Sequence, residues 1–274
     1  MDKSTVADIV YATCSAIWLE LVYVHMPHPT REDLKKIASD YFRLWQFPMC
    51  IGSIDGKHCR VKCPAKSGSS YYNYKNYFSI ILQGVADANE KFIAIEVGGK
   101  GKQSDGGTFH YSTFNRLMEN GQLHIPSPDV IPGTAIRVPY VLIADEAYPL
   151  KANIMRPFSS RNLDTQSENF NKRLSRARKC IECTFGILYA KWRILSKPIE
   201  TNPENACLII KTTCILHNII RDLEGVVRDD NNYHTSTDSG ISSHRDRRNN
   251  SSSLAARNIR QQFSDYFWQI RMNL

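Results

Sequence analysis

An α/β fold is what this sequence predicts, and three features predict it. Phe47-Pro-Met-Cys-Ile-Gly-Ser-Ile-Asp55 and Tyr140-Val-Leu-Ile-Ala-Asp145 are short apolar runs that each end in an acid, the pattern of buried strands whose termini enter a site. Tyr77 to Ala86 and Phe92 to Val97 are β-branched and aromatic runs around a polar segment, Asp87 to Glu90, which is the signature of a hairpin. Farther along, Phe170, Leu174, Ala177, Ile181, Phe185 and Leu188 recur at steps of three and four, as do Ala206, Ile209, Ile210, Thr213, Leu216 and Ile220 after Asn202-Pro203. Two long amphipathic helices therefore follow the strands.

The remaining elements follow in order. Val6, Ile9, Val10, Thr13, Ile17, Leu21 and Val24 share one helical face until Met26-Pro-His-Pro29 breaks the pattern. Thr30-Arg-Glu-Asp33 then caps a second helix carrying Leu34, Ile37 and Tyr41. The first strand is expected to end in a turn at Asp55-Gly56. Lys100 to Thr108 is Gly-rich and polar, so Asp105 is expected on a loop, with a short helix through Phe114, Leu117 and Met118 after it. Residues 228–253 are dominated by Asp, Asn, Ser, His and Arg, a composition that cannot repay its ordering entropy and predicts a flexible C-terminal tail. Leu254, Ile259, Phe263, Tyr266, Phe267 and Ile270 restore an apolar pattern for a docking segment. The expected organisation is an N-terminal helical segment (1–46), a catalytic domain (47–224), a linker (225–253) and a docking segment (254–274).

Composition narrows the function classes. The 274 residues are 42% hydrophobic and 23% charged, ordinary for a folded domain. Thirty-five Lys and Arg against 27 Asp and Glu leave a net charge of +8, a field that attracts polyanions. Eight cysteines are too dilute for a disulfide scaffold and fit a reducing compartment. Asp8, Glu20 and the polar residues among them interrupt the apolar N-terminus, so neither a signal peptide nor a membrane span is expected.

The acids carry the chemistry. Asp55 and Asp145 at strand ends, with Glu182 at the border of the apolar stripe on the 170–188 helix, could form an oxygen cage for hard divalent cations. Arg178 lies one turn before Glu182, and Lys172, Arg173, Arg176 and Lys179 make that helix basic, which suits a phosphodiester beside an acidic site. Lys57, Lys62, Lys66, Lys75, Arg176 and Arg178 are the candidate phosphate contacts. His58 is a candidate for touching substrate or structural hydrogen bonding. The tyrosines at 71, 72, 74 and 77 are candidates for base stacking, although sheet packing is the simpler role. Cys59, Cys63, Cys180 and Cys183 have zinc-like spacings, but the second pair lies within a helix and reads as core.

Several blocks in order resemble the PIF/Harbinger transposases and the host-domesticated nucleases derived from them: Cys50-Ile-Gly-Ser-Ile-Asp55-Gly-Lys-His58, Tyr74-Lys-Asn-Tyr-Phe-Ser-Ile80, Gly101-Lys-Gln-Ser-Asp105-Gly-Gly-Thr-Phe109, Ala144-Asp145-Glu-Ala-Tyr148-Pro149, Asn169-Phe-Asn171 with Arg176-Ala-Arg178, and Ile181-Glu182-Cys-Thr-Phe-Gly186. The resemblance implies an RNase H-like mixed sheet flanked by helices and a DDE endonuclease that cleaves DNA. It implies catalytic roles for Asp55, Asp145 and Glu182, with Asp105 as a further metal-site position. It also implies two Mg²⁺ or Mn²⁺ ions, a separately encoded Myb-like DNA-binding partner and a nuclear location with the cytoplasm also open, and leaves self-association open. The 36 residues between Asp145 and Glu182 match the family's spacing. A non-cleaving DNA- or chromatin-binding adaptor on the same fold is the alternative.

Overall fold

The computed structural model describes residues 2–161, 163–225 and 252–272. Its elements in chain order are α1 (Lys3–His25), α2 (Arg31–Trp45), β1 (Cys50–Arg60), β2 (Ser79–Ala86), β3 (Phe92–Lys100), α3 (Asp105–His110), α4 (Thr113–Glu119), the short ribbon β4 (Asp129–Val130) and β5 (Arg137–Val138), β6 (Val141–Ile143), β7 (Ile154–Met155), α5 (Thr165–Lys191), α6 (Pro203–Glu224) and α7 (Leu254–Met272). Five strands form one sheet in the order β3-β2-β1-β6-β7. The first three pair antiparallel, while β6 runs parallel to β1 and β7 parallel to β6. This mixed sheet with flanking helices is RNase H-like.

Hydrogen bonds and apolar burial explain why the helices stay on the sheet. In α2 the Thr30 hydroxyl accepts from Asp33 N while the Asp33 carboxylate accepts from Thr30 N, which satisfies two exposed donors at once. Its buried face sets the Tyr41 hydroxyl against Ser53 Oγ at 2.8 Å and donates to Ala86 O, and Trp45 Nε1 donates to Ala88 O. Helix α2 of the N-terminal segment thus contributes Leu34, Ala38, Tyr41 and Trp45 to the same core as the sheet. The long α5 spans both halves of the interior: Phe170, Leu174, Ala177 and Cys180 pack with β1, β6 and α2, while Ile181, Phe185 and Leu188 pack with β2 and α6.

Helix α1 lies along α6, with Thr212 Oγ1 donating to Cys14 O and Asn218 Nδ2 donating to His25 O. Its 23 residues include an 18-residue stretch with a mean hydropathy of 1.4, so length and composition alone do qualify it as a span. Asp8 and Glu20 are too few to offset the surrounding Ile, Val and Leu by that measure.

The linker expected at 225–253 lies almost wholly outside the described residues. Beyond it, α7 inserts Phe263 and Phe267 beside Phe47, the residue that leads into β1, with ring centroids 5.7 and 5.1 Å away. Phe267 is 1% exposed. Replacing it by Ala is expected to remove about 3–5 kcal/mol and to lower the melting temperature by roughly 10 °C. A calorimetric shift of less than about 2 °C would refute this packing.

Candidate active site

Strand register places the first two acids. Ser53 on β1 pairs with Ile143 on β6, and the two strands run parallel. Asp55 and Asp145 each follow two residues later, so they leave adjacent strands at one level and, by the twofold period of a strand, on one face. The expected turn at Asp55-Gly56 is not formed. Strand β1 continues to Arg60 because β2 pairs with it throughout, from Ser53 opposite Ala86 to Arg60 opposite Ser79; ladder hydrogen bonds outweigh the local turn preference of Asp-Gly. Asp55 therefore sits within a strand, and Asp145 in the turn after one, where its Oδ1 accepts from Ala147 N at 2.9 Å.

Asp105 arrives from the other side. It is the first residue of α3, capped by Ser104, whose Oγ accepts from Gly107 N, so the loop expected here is a helix start. Two glycines permit its approach. A Cβ at Gly56 would stand 2.1 Å from Asp105 Oδ1, and one at Gly106 would stand 2.2 Å from Ala147 O. Gln83 Nε2 braces the junction by donating to Asp105 O and to the Tyr148 hydroxyl.

The electrostatics follow from this crowding. Burial raises the Asp55 carboxyl to about 7, opposed by Arg178 and reinforced by Asp145 and Asp105. Burial and Asp145 raise Asp105 to about 6, with Lys75 opposing. Asp105 Oδ1 is buried and has no hydrogen-bond partner. A buried, unsatisfied carboxylate oxygen is costly unless a cation reaches it.

Glu182 joins the site through a cation. Arg178 Nη2 stands 3.6 Å from Asp55 Oδ2 and 3.6 Å from Glu182 Oε1, as the i, i+4 spacing on α5 allows. The Glu182 side chain is 53% exposed, that of Arg178 only 14%. Among the described residues, no three His, Cys, Asp or Glu side chains form a ready-made metal cage. The arrangement is three mutually interacting aspartates with Glu182 across a guanidinium. Its donors are nevertheless all carboxylate oxygens, and one is orphaned, which fits a hard divalent cation.

The other candidates divide. Lys75 stands near enough to Asp105 to lower its pKa, with its Nζ 5.6 Å from the Tyr74 ring. Lys57 Nζ lies 5.1 Å from the Tyr189 ring. Lys62 pairs loosely with Glu200 at 3.8 Å, and Lys66 is exposed on a loop. Arg176 does not accompany Arg178: two residues apart on a helix means about 200° of rotation, and its Nη1 donates to Gln46 Oε1. His58 Nδ1 shares a hydrogen bond with Ser79 Oγ at 2.8 Å, and its ring meets Tyr74 edge-on. Burial, with Lys75 and Lys57, lowers its pKa to about 4, so its imidazole is neutral near pH 7. Of the cysteines with zinc-like spacings, Cys180 is buried on α5, where its Sγ donates to Asp87 O. Gln83 carries no sequence signal of its own; only the fold reveals its part.

Comparison with known proteins identifies the family. Residues 54–218 match the DDE superfamily endonuclease family. The chain is 30% identical over 232 residues to antagonist of like heterochromatin protein 1 of Arabidopsis thaliana, covering 83% of this chain and 58% of that protein. It is 28% identical to an ALP1-like protein of the same plant, over 84% of this chain and 56% of the relative. A third relative, "Putative nuclease HARBI1" of Bos taurus, is 25% identical over 72% of this chain and 53% of its own length. The chain thus spans a little over half the length of these curated relatives. No solved structure matches it significantly. With the matched segment running from β1 through α6 and including Asp55, Asp105, Asp145 and Glu182, the chain belongs to the DDE superfamily endonucleases, in their Harbinger-derived branch.

Proposed function

We propose that this domain is a transposase-derived, divalent-metal-dependent endonuclease that cuts DNA phosphodiester bonds. The observation that carries the reading is the meeting of Asp55, Asp105 and Asp145 from three separate elements, with an orphaned carboxylate oxygen among them. Asp55, Asp105, Asp145 and Glu182 would hold Mg²⁺ or Mn²⁺, and a pair of such ions would activate the attacking hydroxyl and neutralise the leaving oxygen. The protein's own part is to bring those carboxylates together, where a bound cation would favour their ionised form, and to seat the phosphate. Arg178 at the acids, with Lys75 beside Asp105, supplies the positive charge against which a scissile phosphate would settle, and Lys57 is a further candidate contact. Affinity of this kind weakens steeply with salt. A nuclear location and recruitment by a Myb-like DNA-binding protein complete the proposal.

A second reading is a non-cleaving chromatin or DNA adaptor on the same fold. It is favoured by the name of the relative at 30% identity, which refers to antagonism of a heterochromatin protein. One experiment separates the two: supercoiled duplex DNA is incubated with the protein in Mg²⁺ or Mn²⁺, with and without EDTA and a Myb-like partner. Nicking that disappears with EDTA is expected. It should grow as pH rises from 6 to 8, because carboxyls raised to about 7 and 6 lose their protons over that interval and only the ionised form binds a cation. DNA binding without nicking at any pH would establish the adaptor instead.

A further inference from the structure

Arg178 is not required to hold α5 on the sheet, because Ala177, Cys180 and Ile181 around it are fully buried and already anchor the helix. Nor is it a well-made structural ion pair. Arginine committed to a carboxylate closes to roughly 2.7–2.9 Å, often through two parallel bonds, whereas here one nitrogen is shared at 3.6 Å between Asp55 and Glu182. Arg221 shows the committed form in this same protein, closing on Glu90 at 2.9 Å. The guanidinium is therefore held loosely at the one place where Asp55 and Glu182, from different elements, face each other.

We propose that Arg178 is a resident counter-ion: it occupies the space between Asp55 and Glu182 that a divalent cation takes, steadies the acids before the cation enters, and is displaced by it. This rests on the metal-dependent reading of the site. The displaced guanidinium, still tethered to α5 beside the acids, is then free to contact a phosphate. Arg178 is thus a positioning residue that sets metal affinity as well as holding charge. A nearby guanidinium typically weakens a carboxylate's hold on a proton tenfold or more, and a metal ion competes for the same lone pairs.

The test is Mn²⁺ binding to the full chain without DNA, followed by Mn²⁺ electron paramagnetic resonance, with melting temperatures measured in EDTA and in saturating Mn²⁺. For R178Q we expect Mn²⁺ to bind about tenfold more tightly than to the wild type. The variant should melt several degrees lower in EDTA and within about 2 °C of the wild type in Mn²⁺. Unchanged or weaker binding, with equal melting losses in both conditions, would show a merely structural arginine and overturn the inference. If R178Q does not fold, R178K takes its place. Lysine keeps the charge but loses the two-sided fork, so binding roughly two- to fivefold tighter is expected, and binding no tighter than wild type overturns the inference. Wild-type protein that ignores Mn²⁺ altogether would overturn both this inference and the metal reading, and so separates the two failures.

Discussion

Asp55→Asn is expected to eliminate metal-dependent nicking, by at least about a thousandfold, while making the metal-free protein more stable. The two effects share one cause. Burial first, then the neighbouring Asp145 and Asp105, raise the Asp55 carboxyl to about 7 against the opposing Arg178. Ionising it in the folded protein is therefore unfavourable. The sign is fixed by linkage: between the unfolded value of 3.8 and the folded value of about 7 the native state binds more protons than the unfolded one, so stability falls as pH rises across that window and is level above it. Asparagine has no such dependence. At pH 8 the variant should be more stable by roughly 2 kcal/mol, after allowance for the lost pairing with Arg178. Near pH 4 the two proteins should unfold together. Urea titrations at pH 4, 6 and 8 read the difference, and an Asp55→Asn variant no more stable at pH 8 than at pH 4 relative to wild type would contradict the crowding of the three acids. Loss of activity with gain of stability is the expected mark of a site whose charges are assembled for a ligand.

Gly56→Ala is expected to lower nicking by about a hundredfold with little loss of stability. The added Cβ would stand 2.1 Å from Asp105 Oδ1 and 2.7 Å from its Cγ. The obstacle is the end of a side chain, so Asp105 can rotate away and the fold survives, but the carboxylate no longer points at Asp55. Gly84→Ala provides the contrast. There the Cβ meets Phe92 Cε1 at 2.8 Å and Phe185 Cζ at 3.4 Å, in the core, where overpacking costs about 1–3 kcal/mol. Nicking rates normalised to folded protein should therefore separate the two alanines: activity is lost at position 56, stability at position 84. Full activity in Gly56→Ala would remove Asp105 from the site.

Legibility in the sequence followed the range of the interactions. Helix α2 was readable down to its cap because Thr30 and Asp33 satisfy each other's backbone within one turn. The β2–β3 hairpin was readable because its two runs are adjacent in sequence. The end of β1 was misread because Asp55-Gly56 looks like a turn locally, and only pairing with β2 carries the strand on to Arg60. Asp105 opens a helix where a loop is expected, since Ser104 caps a helix of only six residues, too short to show a period. Arg176 and Arg178 looked equivalent in a basic run, and the turn of the helix sends them apart.

By itself the sequence determined the element types, the apolar faces and the identity of the acids, because hydrophobic period and residue chemistry are properties of short segments. Only tertiary structure decided that Asp55 and Asp145 stand abreast, that Asp105 closes on them over Gly56, and that Arg178 lies between Asp55 and Glu182. Those relations depend on strand register and helix rotation across stretches far apart in the chain. No local pattern encodes such distances; the packing of α5 against the sheet sets them.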